Sequence, residues 1–127
     1  MSVTKEDLLL LANELLQRAT EVHCRAAVSR AYYAAFHGCV AWHAGMSVPG
    51  SNTGNGGVHV QFISRLRNGA PEWSASHRIL GRVIAAQLSA LKLQRKIADY
   101  DLDEPFDNAL AMSNCAVAAL LLNKLLG

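Results

Sequence analysis

The chain has 127 residues and a formal net charge of +2, and 51% of its residues are apolar although only 6% are aromatic. One domain with its own core is expected at this length, and a core filled by Leu and Ala suits packed helices better than β-layers. The longest apolar runs fall short of the roughly 20 residues that span a bilayer, and no basic-then-apolar leader is present, so we expect a cytoplasmic protein.

Two helices are predicted in the first third of the chain. Thr4 and Asp7 have the spacing of a capping box, and leucines then recur at helical spacing, which predicts a first helix from about Lys5 to Thr20. The stretch from Glu21 to Ala44 is apolar or small nearly all round, and Gly45 follows it as a C-terminal stop. This pattern is typical of a central, buried helix.

The rest of the chain predicts a loop and three further helices. Met46–Gly57 is rich in Gly, Asn and Ser, which indicates a mobile surface loop, and it lacks the Gly-Lys-Ser/Thr of a Walker phosphate loop. Val58–Asn68, closed by a glycine, is expected to be a short helix. Prolines at positions 71 and 105 suit the first turns of two longer helices, which end at about Tyr100 and Leu126. The fold class is therefore all-α, with about five helices.

Charge is distributed unevenly along the second half of the chain. Seven of the twelve basic residues lie between Val58 and Ala98 against a single acid, Glu72. Five acids then follow within nine residues, from Asp99 to Asp107. Such a stretch is typical either of a solvated helix face followed by capping acids or of a surface that faces phosphate, and both interpretations stay open.

Arg95 interrupts the apolar stripe of the fourth helix. An unpaired guanidinium is too costly to bury, so Arg95 requires a carboxylate partner, a polar cleft or a subunit interface. Asp99, four residues later, is the nearest candidate partner, and a purely structural ion pair is the alternative to a functional role. The apolar stripe comprises Leu80, Ile84, Leu88, Leu91, Ala98 and Leu102, and the opposite face comprises Arg78, Arg82, Lys92 and Lys96.

One face of the second helix is small and cationic, and its alanines would let another backbone approach closely. Arg30 and His37 project from this face in the same direction, with Tyr33 at its edge. An imidazole can move a proton on a 2′-hydroxyl or leaving oxygen of RNA while a guanidinium holds the phosphate, without a metal or other cofactor. The alternative is a buried histidine whose ring is satisfied by a tyrosine or a carbonyl. The face comprises His23, Ala27, Arg30, Ala34, His37 and Ala41.

Other kinds of site have no support in the sequence. Cys24, Cys39 and Cys115 lie far apart without CxxC or CxxH spacing, which argues against a disulfide framework and a zinc site. The histidines show no ligand spacing to each other or to acids, so no metal site is predicted. No Gly-x-Ser-x-Gly elbow and no dinucleotide fingerprint occurs.

Two short motifs resemble the HEPN family, in particular its small stand-alone bacterial and archaeal members. The motifs are Arg30-Ala-Tyr-Tyr-Ala-Ala-Phe-His37, followed by His59 at the head of a short helix, and Arg95-Lys-Ile-Ala-Asp-Tyr100. The resemblance implies one up-and-down helical bundle over residues 1–127 that dimerises through its central helices, with a polar cleft at the interface. It also implies that RNA or a nucleotide binds near Arg95, Tyr33, Asp99, Tyr100, Lys92 and Lys96.

The resemblance implies two functional alternatives. Many HEPN proteins are metal-independent ribonucleases, often toxins of toxin–antitoxin or defence systems, in which four to six residues separate an Arg from a His. Arg30 and His37 have this spacing, but the family's motif usually lies on a late helix, where this chain has Tyr100 in place of a histidine. Members without that histidine resemble binding modules, some with a nucleotidyltransferase-type or antitoxin partner. We therefore expect an RNA-binding or nucleotide-binding dimer first, and a ribonuclease with Arg30 and His37 as catalytic residues second.

A third alternative is a structural or protein-interaction role. In this interpretation the polar residues of the two motifs form one buried hydrogen-bonded network that stabilises the bundle. The members of that network would be Tyr32, Tyr33, Arg30, His37, Arg95 and Asp99.

Overall fold

The computed structural model describes residues 3–52 and 54–126, and these form five α-helices without a strand. The helices are α1 (Lys5–Leu16), α2 (Glu21–Ala44), α3 (Val58–Asn68), α4 (Ala75–Tyr100) and α5 (Asn108–Leu126). The predicted all-α helical bundle is therefore confirmed.

α2 is the central helix, and α1, α4 and α5 all pack against it. Most of its buried positions are small, so the neighbouring helices approach its backbone closely. At Gly38 an added Cβ atom would lie 2.3 Å from Leu122 Cδ2. The larger core side chains come mainly from the other helices, and the small positions of α2 receive them. The largest fully buried side chains include Tyr32, Leu66, Ile84, Leu88, Leu91 and Leu121.

Three of the predicted helix limits are wrong, namely the end of α1 and the starts of α4 and α5. In each case a capping side chain or a turn lies at a different residue from the one expected. α1 ends at Leu16 and not at Thr20, since Ala19 has φ 58° and Thr20 instead caps the start of α2. α4 begins after Ser74 and not at Pro71, because the Ser74 hydroxyl accepts the His77 backbone N–H. Likewise α5 begins at Asn108 and not at Pro105, after the Asp107 carboxylate accepts the Leu110 N–H at 2.8 Å.

The apolar stripe of α4 is confirmed in its centre but wrong at its end. Ile84, Leu88, Leu91 and Ala98 are buried, and Leu80 is partly buried against the core. Leu102 was expected to continue the stripe, but α4 ends at Tyr100, so Leu102 lies in the following turn with 70% of its surface exposed.

Hydrogen bonds hold the first half of the segment between α2 and α3 in place, where a mobile loop was expected. Trp73 Nε1 donates to the Val48 carbonyl at 2.8 Å, and Arg65 Nη1 donates to the Gly50 carbonyl at 2.9 Å. The Gly50 N–H donates to His43 Nε2 at 3.0 Å. A Cβ atom at Gly50 would lie 1.9 Å from the Arg65 carbonyl oxygen, so only glycine fits there. Thr53, within the predicted loop, lies outside the described residues.

α5 is long and apolar enough to cross a membrane, with 19 residues and a mean hydropathy of 1.6. The uninterrupted apolar runs of the sequence, which are shorter than a membrane span, did not predict this length and hydropathy. In the bundle, Ala111, Cys115, Ala118 and Leu121 of this helix are buried, and α5 packs against α2. In the bundle, 28% of this apolar window is buried, and a cytoplasmic location stays a prediction.

Arg25 is a buried charge that connects α2 to the end of α4, and its role was not predicted. Only 7% of its surface is exposed. Its guanidinium lies 4.0 Å from the Glu21 carboxylate and 5.3 Å from the centroid of the Phe106 ring. The carbonyls at the end of a helix have few partners and carry partial negative charge, which the guanidinium offsets. It donates to the carbonyl oxygens of Ile97, Ala98, Asp101, Leu102 and Glu104.

Candidate functional site

An aromatic cluster occupies the junction of α2, α3 and α4. The rings of Phe36 and His59 stack with centroids 4.2 Å apart, and those of Tyr32 and Tyr33 meet edge to face at 5.3 Å. Burial raises the pKa of the Tyr32 phenol, so its hydroxyl stays protonated, and it shares a hydrogen bond with His59 Nδ1 at 2.5 Å. The packed rings form a base for the charged side chains around them.

Arg95 lies against this cluster with only 12% of its side chain exposed. Its guanidinium carbon is 5.6 Å from the ring centroids of both Tyr33 and Tyr100, close enough for cation–π attraction. The predicted carboxylate partner is present, because Arg95 Nη1 lies 3.5 Å from Asp99 Oδ2. This single long contact engages one guanidinium nitrogen, and Arg95 Nε has no hydrogen-bond partner.

Arg30 also lies near the Tyr33 ring and is linked to Arg95 through two polar residues. Arg30 Nη2 donates to Ser29 Oγ at 3.3 Å, and Ser29 Oγ donates to Asp99 Oδ2 at 3.2 Å. The Arg30 guanidinium lies 5.4 Å from the Tyr33 ring centroid. Within residues 3–52 and 54–126, Arg30 forms no ion pair, and its link to the Asp99 carboxylate runs through Ser29.

His37 is exposed on the rim of a depression that it shares with Arg30 and Tyr33. The alternative of a buried, satisfied histidine is therefore wrong for His37, and this residue also lies outside the predicted buried network. The depression has a volume of about 590 Å³, and the start of α1 completes it with Thr4 and Lys5. Lys5 adds a cation that the sequence motifs did not indicate.

His59 is part of the same cluster, although its role was not predicted beyond its place in the motif. Burial and the positive charges of Arg95 and Lys92 lower its pKa, which favours the neutral ring. Its Nδ1 atom is engaged by the Tyr32 hydroxyl.

The other predicted binding residues lie on α4 beside Arg95. Tyr100 exposes 75% of its surface while one face of its ring meets the Arg95 guanidinium. Lys92 and Lys96 line a neighbouring depression, and burial and the charge of Lys96 lower the pKa of Lys92. The structure thus brings most of the predicted residues together. We call this group the Tyr33 site, which comprises Arg30, Tyr33, His37, Arg95, Asp99 and Tyr100.

The sequence suggested that the small face of α2 could receive another backbone. In the structure this face is not free to do so. Ala27 and Ala34 are fully buried. α1 and α5 of the same chain pack along α2, and Leu122 and Lys5 lie against Gly38. Ala27 and Ala34 therefore serve packing within the chain, whereas Ala41 of the same face is exposed.

No metal or known relative helps to identify the site. Throughout the described residues, no group of three or more His, Cys, Asp or Glu side chains is placed to hold a metal ion. Comparison of the chain with protein-family models, curated proteins and solved structures gives no match. The chemistry of the Tyr33 site therefore has to be argued from its own geometry.

Proposed function

We propose that the Tyr33 site binds a phosphate group of RNA or of a nucleotide, as in an HEPN-like binding module. The observation that carries this proposal is the pair of guanidinium groups, of Arg30 and Arg95, that both lie near the Tyr33 ring, while in the described residues Asp99 is ion-paired with Arg95 and Arg30 has no ion pair. A guanidinium can bind phosphate through two parallel hydrogen bonds, and the positive charge left over here attracts an anion.

The aromatic rings support a nucleic-acid component in the ligand. Tyr100 presents an exposed ring, and Tyr33 is partly exposed near the two arginines. Unstacked bases bind tyrosine rings and guanidinium planes by stacking, which is common in recognition of single-stranded RNA. Phosphate alone would not need these rings.

The proposal is tested by fluorescence anisotropy with a labelled single-stranded RNA oligonucleotide. We expect the wild type to bind more weakly as salt increases, and Arg30→Gln to weaken binding by about tenfold or more, because a charge-assisted contact is lost. Arg18→Gln, on the α1–α2 turn, removes an exposed charge elsewhere and should leave the affinity within about twofold of the wild type. Equal affinity of all three proteins would refute the proposed site.

A second candidate function is metal-independent RNA cleavage, favoured by the exposed imidazole of His37 beside Arg30 in one depression. His37 would take the proton of a 2′-hydroxyl as that oxygen attacks the adjacent phosphorus and the bond from phosphorus to the 5′-oxygen of the next nucleotide breaks, and the leaving 5′-oxygen would take a proton in return. Arg30 and Arg95 would hold the phosphate and the charge that develops on it. Cleavage of labelled total tRNA in EDTA would be lost in folded His37→Ala and Arg30→Ala variants. Absence of cleavage by the wild type would leave the binding function alone.

We also propose that a second copy of the chain is a partner, in addition to a nucleotidyltransferase-type or antitoxin protein. The exposed face of α5 supports this, because it has no charged residue between Ala109 and Asn123. Leu120 and Met112 on this face expose 58% and 57% of their surface. Uncharged, partly apolar faces of this kind are typical of interfaces between subunits.

A further inference from the structure

α3 and α4 present a surface that has basic side chains and, as far as Ala98, no acid. The only acidic residue within Val58–Ala98 is Glu72, which lies in the connection between the two helices. Helix surfaces usually mix both signs of charge, so the absence of acids over two adjacent helices produces a positive potential there.

Five of the seven basic residues of this stretch, all but Arg82 and Arg95, divide into two groups by their contacts. Arg65 donates to the Gly50 carbonyl, and Arg78 donates to the Trp73 carbonyl at 2.7 Å, so both stabilise the connections at the ends of α3 and α4. Arg67, Lys92 and Lys96 make no ion pair and no hydrogen bond with any other side chain in the described ranges. The first group has a structural role, and the second group is available to a ligand.

The available cations surround a depression of about 580 Å³ on α4. Ser89 lies on its edge, and a smaller depression of about 260 Å³ between α3 and α4 shares Arg67, Ser89 and Lys92 with it. We call the larger depression the basic groove. Its lining combines three cations, Arg67, Lys92 and Lys96, with the apolar side chains of Ala86, Ala90 and Leu93. Cationic and apolar side chains together suit a nucleic-acid strand, which offers both phosphates and bases.

The basic groove is continuous with the Tyr33 site along α4. Lys92 lines the groove less than one helical turn from Arg95, and its charge contributes to the lowered pKa of His59 in the aromatic cluster. From Ser89 to Tyr100 the helix rises by about 16 Å. A strand of several nucleotides can follow this whole length, with phosphates at the groove and a base at Tyr100.

We propose that the basic groove is a second phosphate-binding site, which holds the backbone of an RNA strand whose neighbouring nucleotide occupies the Tyr33 site. This inference rests on the proposed RNA-binding function and makes the ligand a single strand of several nucleotides. A duplex is disfavoured, because its bases are paired and cannot stack on Tyr33 or Tyr100. An anionic membrane is the competing partner, because Leu93 in the groove exposes 58% of its surface, and binding to vesicles is therefore one outcome of the test.

The test compares the affinities for two labelled oligouridines, of about 3 and about 12 nucleotides, at several salt concentrations. The Arg67→Gln/Lys96→Gln variant removes two groove charges. We expect it to bind the longer strand about tenfold more weakly and to reduce the slope of log affinity against log salt by about 1.4, which corresponds to two lost contacts. The shorter strand, bound at the Tyr33 site, should keep its affinity within about twofold.

The matched control is Arg18→Gln/Lys124→Gln, which removes two exposed charges from the ends of α1 and α5. It should bind both strands as the wild type does. If the groove variant equals this control with both strands, the groove inference fails while the proposed function stands. If the wild type binds neither strand, the groove inference and the proposed function both fail. Both also fail if the wild type binds phosphatidylserine vesicles in place of RNA. Circular dichroism melting checks that each variant is folded.

Discussion

Arg25 shows how one side chain can hold the end of a helix. Its guanidinium is surrounded by carbonyl oxygens from the last turn of α4 and the turn after it. A helical wheel counts such a residue as polar and predicts that it faces solvent. The carbonyl partners lie more than 70 positions later in the sequence, so no local pattern indicates them.

Replacement of Arg25 by alanine should destabilise the protein more than most surface changes. We expect Arg25→Ala to lower the free energy of unfolding by about 3 kcal/mol, because partly buried carbonyls lose their donor. Urea denaturation followed by circular dichroism measures this. Arg18→Ala, an exposed arginine on the preceding turn, should change the value by less than about 0.5 kcal/mol. Similar losses in the two variants would contradict the role given to Arg25.

His43 and His59 should make stability depend on pH. Burial lowers the pKa of both rings below the ordinary value of 6.5, with help from Arg65 at His43 and from Arg95 at His59. The unfolded chain then binds more protons than the folded one just below that value. Stability is therefore full at higher pH and falls as the pH decreases through this range.

The corresponding experiment compares urea midpoints at about pH 7.5 and about pH 5.5. The wild type should be less stable at the lower pH, and His43→Gln/His59→Gln should lose much of that difference. His77→Gln removes an exposed histidine at the start of α4 and should leave the difference intact. A difference that persists in the double variant would show that other groups cause it.

The helices themselves differ in how well the sequence predicts their limits. α2 and α3 begin and end as expected, because Gly45 and Gly69 stop them and no competing signal lies nearby. The starts of α4 and α5 were predicted from prolines, but side chains nearer the helix supply the caps. Competing start signals within a few residues cannot be ranked without the contacts that select one of them.

The close approach of α3 to α4 depends on Gly81. A Cβ atom there would lie 2.6 Å from the Leu66 carbonyl oxygen, which belongs to the backbone and cannot rotate away. We expect Gly81→Ala to lower the free energy of unfolding by about 2 kcal/mol, although alanine is the better helix former. Thermal and urea unfolding measure the loss. Gly54→Ala, with nothing within 4 Å of the added carbon, is the control and should be nearly neutral.

For the whole molecule, the sequence predicted the fold class better than it predicted which surfaces are exposed. The helical bundle followed from periodicity, and Arg95 with Asp99 followed from the rule that a charge in an apolar stripe needs a partner. The exposure of His37 and the covered alanines of α2 were not predictable, because both depend on where α1 and α5 pack. The basic groove combines residues from α3 and α4 that a wheel of either helix alone does not relate.

Self-association through α5 is the prediction that concerns the whole molecule. We expect the wild type to be a dimer in size-exclusion chromatography with light scattering, and Leu120→Glu to be a monomer, because the carboxylate would enter an uncharged interface. Leu10→Glu, at an exposed leucine of α1, should remain a dimer. A wild type that is monomeric at every concentration, or equal behaviour of the two variants, would contradict the proposed interface.

Arg25 also restricts local unfolding of the α4 residues that belong to the Tyr33 site. The last turn of a helix usually frays, and local unfolding there requires little free energy. Arg95, Asp99 and Tyr100 all belong to the final turns of α4, and the Arg25 guanidinium binds the carbonyls of Ile97 and Ala98 between them. The end of α4 that carries the proposed binding site is thereby kept ordered, so that binding of a ligand there would cost less conformational entropy.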